Sequence, residues 1–168
     1  MEKKKSREES FIDYLILNKN DNGYIAKWKH ADIPNTSFMA WEVLAPWCED
    51  LTNPYLREPL EIIGAAFVRR NKDYNGTLSL GKALYRCYPS DDNNPGKAKL
   101  RRLLSCTNTI EICSSIKPVL RLIDSKDIDL DYVKLLKDLK WFDEKVKINW
   151  AQDFFHGGLK NDNKSDSN

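Results

Sequence analysis

The stretch Pro54 to Arg70, PYLREPLEIIGAAFVRR, decides the fold class. Asn53 before Pro54 reads as a helix start: a side-chain cap, then a proline whose missing N–H costs nothing in the first turn. Pro59 makes a second start possible and predicts a kinked entry. From Leu60 to Arg70 the residues are apolar on nearly every side, with Ile62, Ile63, Ala65, Ala66 and Phe67 spread around the wheel. A helix with so little polar surface is central, so other helices must surround it.

The flanking sequence supplies them. Phe11, Tyr14, Leu15 and Asn18 recur at helical spacing, which predicts a first helix from Glu8 to Leu17 behind a flexible arm, residues 1–7. Asn18–Gly23 is turn chemistry, and a short helix then carries Tyr24, Ile25 and Trp28. A third runs through Phe38, Trp41 and Leu44 until Pro46 stops it. Downstream, Asn75-Gly76 is a turn and Ser79 caps a helix bearing Leu80, Ala83 and Leu84. Residues 88–96, YPSDDNNPG, read as a loop dividing the chain into helical halves, 8–87 and 97–157, of one domain. The second half holds Lys97–Cys106, then Thr109–Ser125 with Pro118 inside it. A helix capped by Asp129 follows, then one capped by Asp143 and ended by Gly157-Gly158. Residues 158–168 are polar and read as a disordered tail. The expected fold is all-α, a compact bundle of about eight or nine helices.

Composition agrees. The 168 residues suit one average domain. Hydrophobic residues at 41% and aromatics at 11% exclude wholesale disorder. Nineteen leucines against five valines favour helices over sheets. The longest near-apolar run, Ile62 to Val68, is too short for a membrane span. MEKKKSREES has charge but no apolar run behind it, so no secretory signal is expected. Cys48, Cys87, Cys106 and Cys113 have no CxxC spacing and read as reduced thiols of a cytoplasmic protein.

Chemistry for catalysis is not assembled in the sequence. The two histidines, His30 and His156, stand in unrelated segments, and no His/Cys/Asp spacing marks a metal site. Neither GxxxxGK[ST], GxGxxG nor GxSxG occurs. The expectation is a protein that is not an enzyme and has no cofactor or metal.

Charge is more informative. Net charge is +2, yet residues 41–68 carry −4 and residues 69–102 carry +6. A basic band of this kind fits a polyanion partner; its plain alternative is a solvated helix face. At about 100° per residue, Leu100, Leu103 and Leu104 fall on one face, with Arg102 opposite and Lys99 and Arg101 on the flanks. The same geometry turns Leu80 and Leu84 inward and Lys82 outward, with Gly81 placed for close approach of a phosphate backbone or, the commoner use of a lone glycine, of a neighbouring helix. Arg69 and Arg70 end the central helix, where the helix dipole alone favours cations. Trp28, between Lys27 and Lys29, is the tryptophan best placed to stack on a base, whereas Trp41 and Trp150 lie in apolar stripes and read as core. With no base-reading motif, such a protein would read charge and shape rather than sequence.

Several segments in series carry a resemblance. They are Phe38-x-x-Trp41 running to Pro46-Trp47, Leu78-Ser-Leu-Gly-Lys-Ala-Leu84, Lys99-Leu-Arg-Arg-Leu-Leu-Ser105, Pro118-Val-Leu-Arg-Leu-Ile123, Leu135-Leu-Lys-Asp-Leu139 with Trp141, and Trp150-Ala-Gln-Asp-Phe-Phe155. Their order and spacing over residues 8–156 resemble the CasB family, the small subunit of the type I-E CRISPR surveillance complex Cascade. The resemblance implies an all-α, non-catalytic subunit present in two copies. It would contact the crRNA-coating backbone subunits and the large subunit, and would help hold the crRNA–target duplex and the displaced strand in antiviral defence. By position it assigns nucleic-acid contact to Lys82, Arg101, Arg102 and Arg121, to the pair Lys27 and Lys29, and to Lys145 and Lys147. Lys99, Arg69 and Arg70 join them through the basic band. Asp91-Asp92 departs from the pattern by placing acid beside that band. Two other readings stay open at this point: a stand-alone helical nucleic-acid-binding module, and a helical protein–protein adaptor.

Overall fold

The computed structural model describes residues 2–89 and 94–165, with side chains as far as 157. Among these residues the chain is all-α. Its helices are α1 (Arg7–Leu17), α2 (Asn22–Lys29), α3 (Trp41–Leu44), α4 (Pro54–Arg70), α5 (Leu80–Cys87), α6 (Asn94–Leu104), α7 (Thr109–Ser125), α8 (Tyr132–Lys140) and α9 (Glu144–Ser165). The only β-type pairing among them is an isolated parallel bridge, Leu78 to Leu130.

The chain divides into two units. The first comprises residues up to Asn75 together with Tyr132–Lys140. The second comprises Gly76–Asp131 and the segment from Trp141 onward. This differs from halves 8–87 and 97–157. The reason is α8, which buries Leu135, Leu136 and Leu139 and packs on α1 and α4. A short amphipathic helix joins whichever apolar surface completes its own, whatever its place in sequence.

In the first unit α4 is the central helix. It is buried from Pro59 to Val68 and passes through Pro59 without a break, so the second start does not occur. Packing all round the helix offsets the backbone bond that Pro59 cannot make. The Asn53 side chain caps its first turn through Tyr55 N–H at 3.0 Å. Trp28 is wholly buried, and a Cβ at Gly64 would overlap its six-membered ring. The indole thus lies flat on α4 where only glycine leaves room, edge-on to Phe11 at 5.5 Å. That removes Trp28 as a base-stacking residue. Exposed aromatics of this unit include Phe38 and Trp41, in a broken run of 3-10 and α turns where the spacing predicts a continuous third helix. At the N-terminus, Ser6 accepts from Glu9 N–H while Glu9 accepts from Ser6 N–H, a capping box that ends the expected arm one residue early.

The second unit opens with a short clasp. Gly76 N–H donates to Leu130 O at 3.1 Å, Leu78 N–H to Asp129 O at 3.0 Å, and Asp131 N–H to Leu78 O at 2.8 Å. Asp129 is held there by its backbone and α8 begins at Tyr132, so Asp129 does not cap it; in the first unit Asn75 Oδ1 accepts from Tyr132 N–H at 2.8 Å. Helix α5 packs on α9, and a Cβ at Gly81 would overlap the Trp150 carbonyl oxygen. The Gly81 position is therefore a helix crossing. Helix α6 starts at Asn94, inside the segment expected as loop; Asp91-Asp92 lies outside the described residues. Helix α7 matches its expected bounds, and Asn108 caps it through Glu111 N–H. Asp143 caps α9 through Val146 N–H. Helix α9 does not stop at Gly157-Gly158 but runs to Ser165, because a glycine ends a helix only when it turns left-handed and no described glycine has positive φ.

Candidate nucleic-acid interface

Helices α5 and α6 pack together in the second unit, and each turns its cations outward. In α5, Leu80, Gly81, Ala83, Leu84 and Cys87 are buried while Lys82 is exposed. Ser79 fixes the start of α5 by accepting from Lys82 N–H. In α6, Leu100 and Leu103 are each 1% exposed, Arg101 and Arg102 are exposed, and Lys99 is half-buried. The leucine-in, cation-out geometry read from the spacing is what the structure contains. On α7, Arg121 is exposed opposite a stripe of Ile112, Ile116, Val119, Leu120 and Ile123.

Two cations escaped the sequence reading. Arg86 is exposed one turn beyond Lys82, and the i, i+4 spacing marks the shared face. Lys126 and Lys99 both lie within electrostatic reach of Cys87, whose thiol burial pushes up to about 11. No sequence signal joins Lys126 to Lys99, because the fold makes that proximity. Lys82, Arg86, Lys99, Arg101, Arg102, Arg121 and Lys126 form no ion pair with another described residue.

The remaining candidates are differently placed. Lys145 is exposed near the start of α9, and Lys147 lies over the Phe142 ring at 5.5 Å. In the first unit Lys29 is exposed, and Lys27 Nζ meets Glu42 Oε1 at 2.6 Å. Arg69 pairs with the buried carboxylate of Asp32. Arg70 is only 8% exposed; it donates to Tyr74 O at 2.6 Å and lies over the rings of Phe67, Tyr74 and Tyr132. Both arginines are thus committed inside the first unit. Buried Asp32 and the aromatic surround fix them there, and sequence gives no sign of either.

Among the described residues no group of His, Cys, Asp and Glu is assembled to hold a metal ion, and all four cysteines are buried and outside any disulfide. No helix among them is long and apolar enough to cross a membrane.

Fold and site together define a small all-α protein with outward cations on two neighbouring helices. A family model for the CRISPR-associated protein Cse2 matches residues 26–155, and the chain belongs to that family. No curated protein matches the sequence. Among solved structures, the chain is similar to one in a CRISPR RNA-guided surveillance complex (TM-score 0.74, 15% identity, covering 95% of this chain and 98% of that one). It is also similar to M. ruber CasB (TM-score 0.73, 19% identity, 95% and 98% covered). A Cse2-family protein from Thermus thermophilus gives a TM-score of 0.72 at 19% identity, with 90% and 99% covered. At such identities these likenesses speak for the fold.

Proposed function

We propose that the chain is the non-catalytic small subunit of a type I-E Cascade surveillance complex in the cytoplasm. In this reading it is present in two copies beside the crRNA-coating backbone subunits and the large subunit. Its α5–α6 cations, with Arg121, hold phosphates of the crRNA–target duplex and the displaced strand. The observation that carries the reading is that Lys82, Arg101 and Arg102, on the outward faces of two packed helices, form no ion pair with another described residue.

The physics suits the task. RNA-guided strand exchange is nearly balanced in energy, so a few phosphate contacts tip it. Each contact releases condensed counterions and by itself carries no sequence information, so it serves different guides alike. Exposed Phe38, Met39 and Trp41 in the first unit give apolar surface suited to neighbouring subunits.

Co-expression with the other subunits and crRNA tests the assignment. The chain should co-purify with the crRNA-loaded assembly, and the assembly lacking it should lose target DNA faster. A chain that binds nucleic acid but never enters the assembly would be a stand-alone module. One that enters without altering target retention would be an adaptor.

A further inference from the structure

Where α6 ends and α7 begins, the second unit has an open groove of about 480 Å³. Its volume lies within the roughly 300–1,000 Å³ of small-ligand sites. Arg102 stands at one side, Ile110 and Cys106 supply apolar wall, and Glu111, Ser114 and Ser115 supply polar groups.

These polar groups differ in what they have left to give. The Arg102 guanidinium has no partner among the described residues, although its carbonyl accepts from Ser105 Oγ at 2.7 Å. The Ser114 and Ser115 hydroxyls make no hydrogen bond with another described residue. Glu111 is held firmly: its Oε2 accepts from Thr107 N–H at 2.7 Å and from Thr107 Oγ1 at 3.0 Å. Those bonds keep the carboxyl ionised and leave Oε1 as an acceptor for a further donor.

We propose that this groove seats one unpaired nucleotide of the bound strand, phosphate on Arg102 and base against Ile110, with Glu111 favouring bases that carry an exocyclic amine. The inference rests on the phosphate-binding reading of the α5–α6 face and adds a base-dependent term to it. The mixed lining is the reason for this occupant. A free anion would meet Arg102 but offer no donor to Glu111. A duplex keeps its bases stacked and cannot place one in a concave seat. A nucleotide offers a phosphate to the cation and, in cytosine, an amino group to the carboxylate. Thymine presents O4 there instead, an acceptor facing an acceptor.

The test uses the full chain and fluorescent single strands of equal length and phosphate number, dC12 and dT12, with circular dichroism as a fold check. Wild type should bind dC12 about 2- to 10-fold tighter than dT12, the range of one net hydrogen bond. Glu111→Gln, which offers either a donor or an acceptor, should close that gap without weakening dT12. Ser114→Ala with Ser115→Ala should weaken dC12 and leave the salt dependence unchanged. Equal wild-type affinities, or the same gap in Glu111→Gln, would overturn the groove assignment while leaving the phosphate reading intact. Absence of binding to both strands would also overturn it, and the assembled complex would still test the phosphate reading separately.

Discussion

The two units use their arginines in opposite ways, and some of their lysines follow. In the first, Arg57 binds Glu61 and the Leu51 carbonyl, Arg69 binds Asp32, Arg70 is enclosed by three rings, and Lys140 meets buried Glu8 at 3.0 Å. In the second, Lys82, Arg86, Arg101, Arg102 and Arg121 face solvent with no described partner. The basic band of residues 69–102 crosses the division at Asn75/Gly76. A charge run read along the sequence therefore joins cations that hold a fold to cations that face solvent. Burial, not charge density, separates them.

Substitutions can break this comparison or sharpen it. The largest effect should come from the first unit's aromatic core. Trp28→Ala removes a wholly buried indole seated on Gly64 and should cost about 3–5 kcal/mol in urea unfolding, within the range for large aromatic truncations. A loss under about 1 kcal/mol would mean that Trp28 is not the packing element assigned here.

Next come paired substitutions of one residue type. Arg70→Met should destabilise by about 2 kcal/mol, because a charge-assisted hydrogen bond and ring contacts are lost. Arg101→Met, on the exposed face of α6, should change stability by less than about 0.5 kcal/mol. Equal losses would erase the distinction between the units.

A smaller effect appears with pH. Burial, the largest single influence, would raise the Glu8 carboxyl, but the hydrogen bonds from Lys140 and from its own backbone, with the charges of Lys140 and Lys137, together outweigh it and the pKa falls below the usual 4.5. A carboxylate depressed on folding contributes stability above its unfolded pKa and loses it as pH falls through the folded one. The urea midpoint should therefore drop from about pH 5 downward, and Glu8→Gln should flatten part of that drop. An unaltered acid limb in Glu8→Gln would remove Glu8 from the account.

Much of this was legible in the sequence because local rules governed it. The bounds of α7, the caps at Asn53, Ser79 and Asp143, and the leucine-in, cation-out faces of α5 and α6 all follow from side-chain chemistry within a few turns. What stayed hidden was set by partners far along the chain. Trp28 looks like a stacking residue between two lysines until Gly64 lies under it. Trp41 looks like core by spacing, yet is 42% exposed because α3 is a single turn. The Ser6 to Glu9 capping box was readable as S-x-x-E, and continuation of α9 beyond Gly157 was not, since glycine permits a stop without imposing one.

The most direct measurement of the central claim is the salt dependence of target-DNA binding by the assembled complex carrying Lys82→Ala, Arg101→Ala and Arg102→Ala together. All three side chains face away from the core, so the variant should fold and assemble. Affinity should fall similarly for different matched guide–target pairs, and the slope of log affinity against log salt should shrink by roughly 3 units if all three meet duplex phosphates. Unchanged affinity and slope in a fully assembled variant would contradict the account and make the second unit's cations a solvated surface.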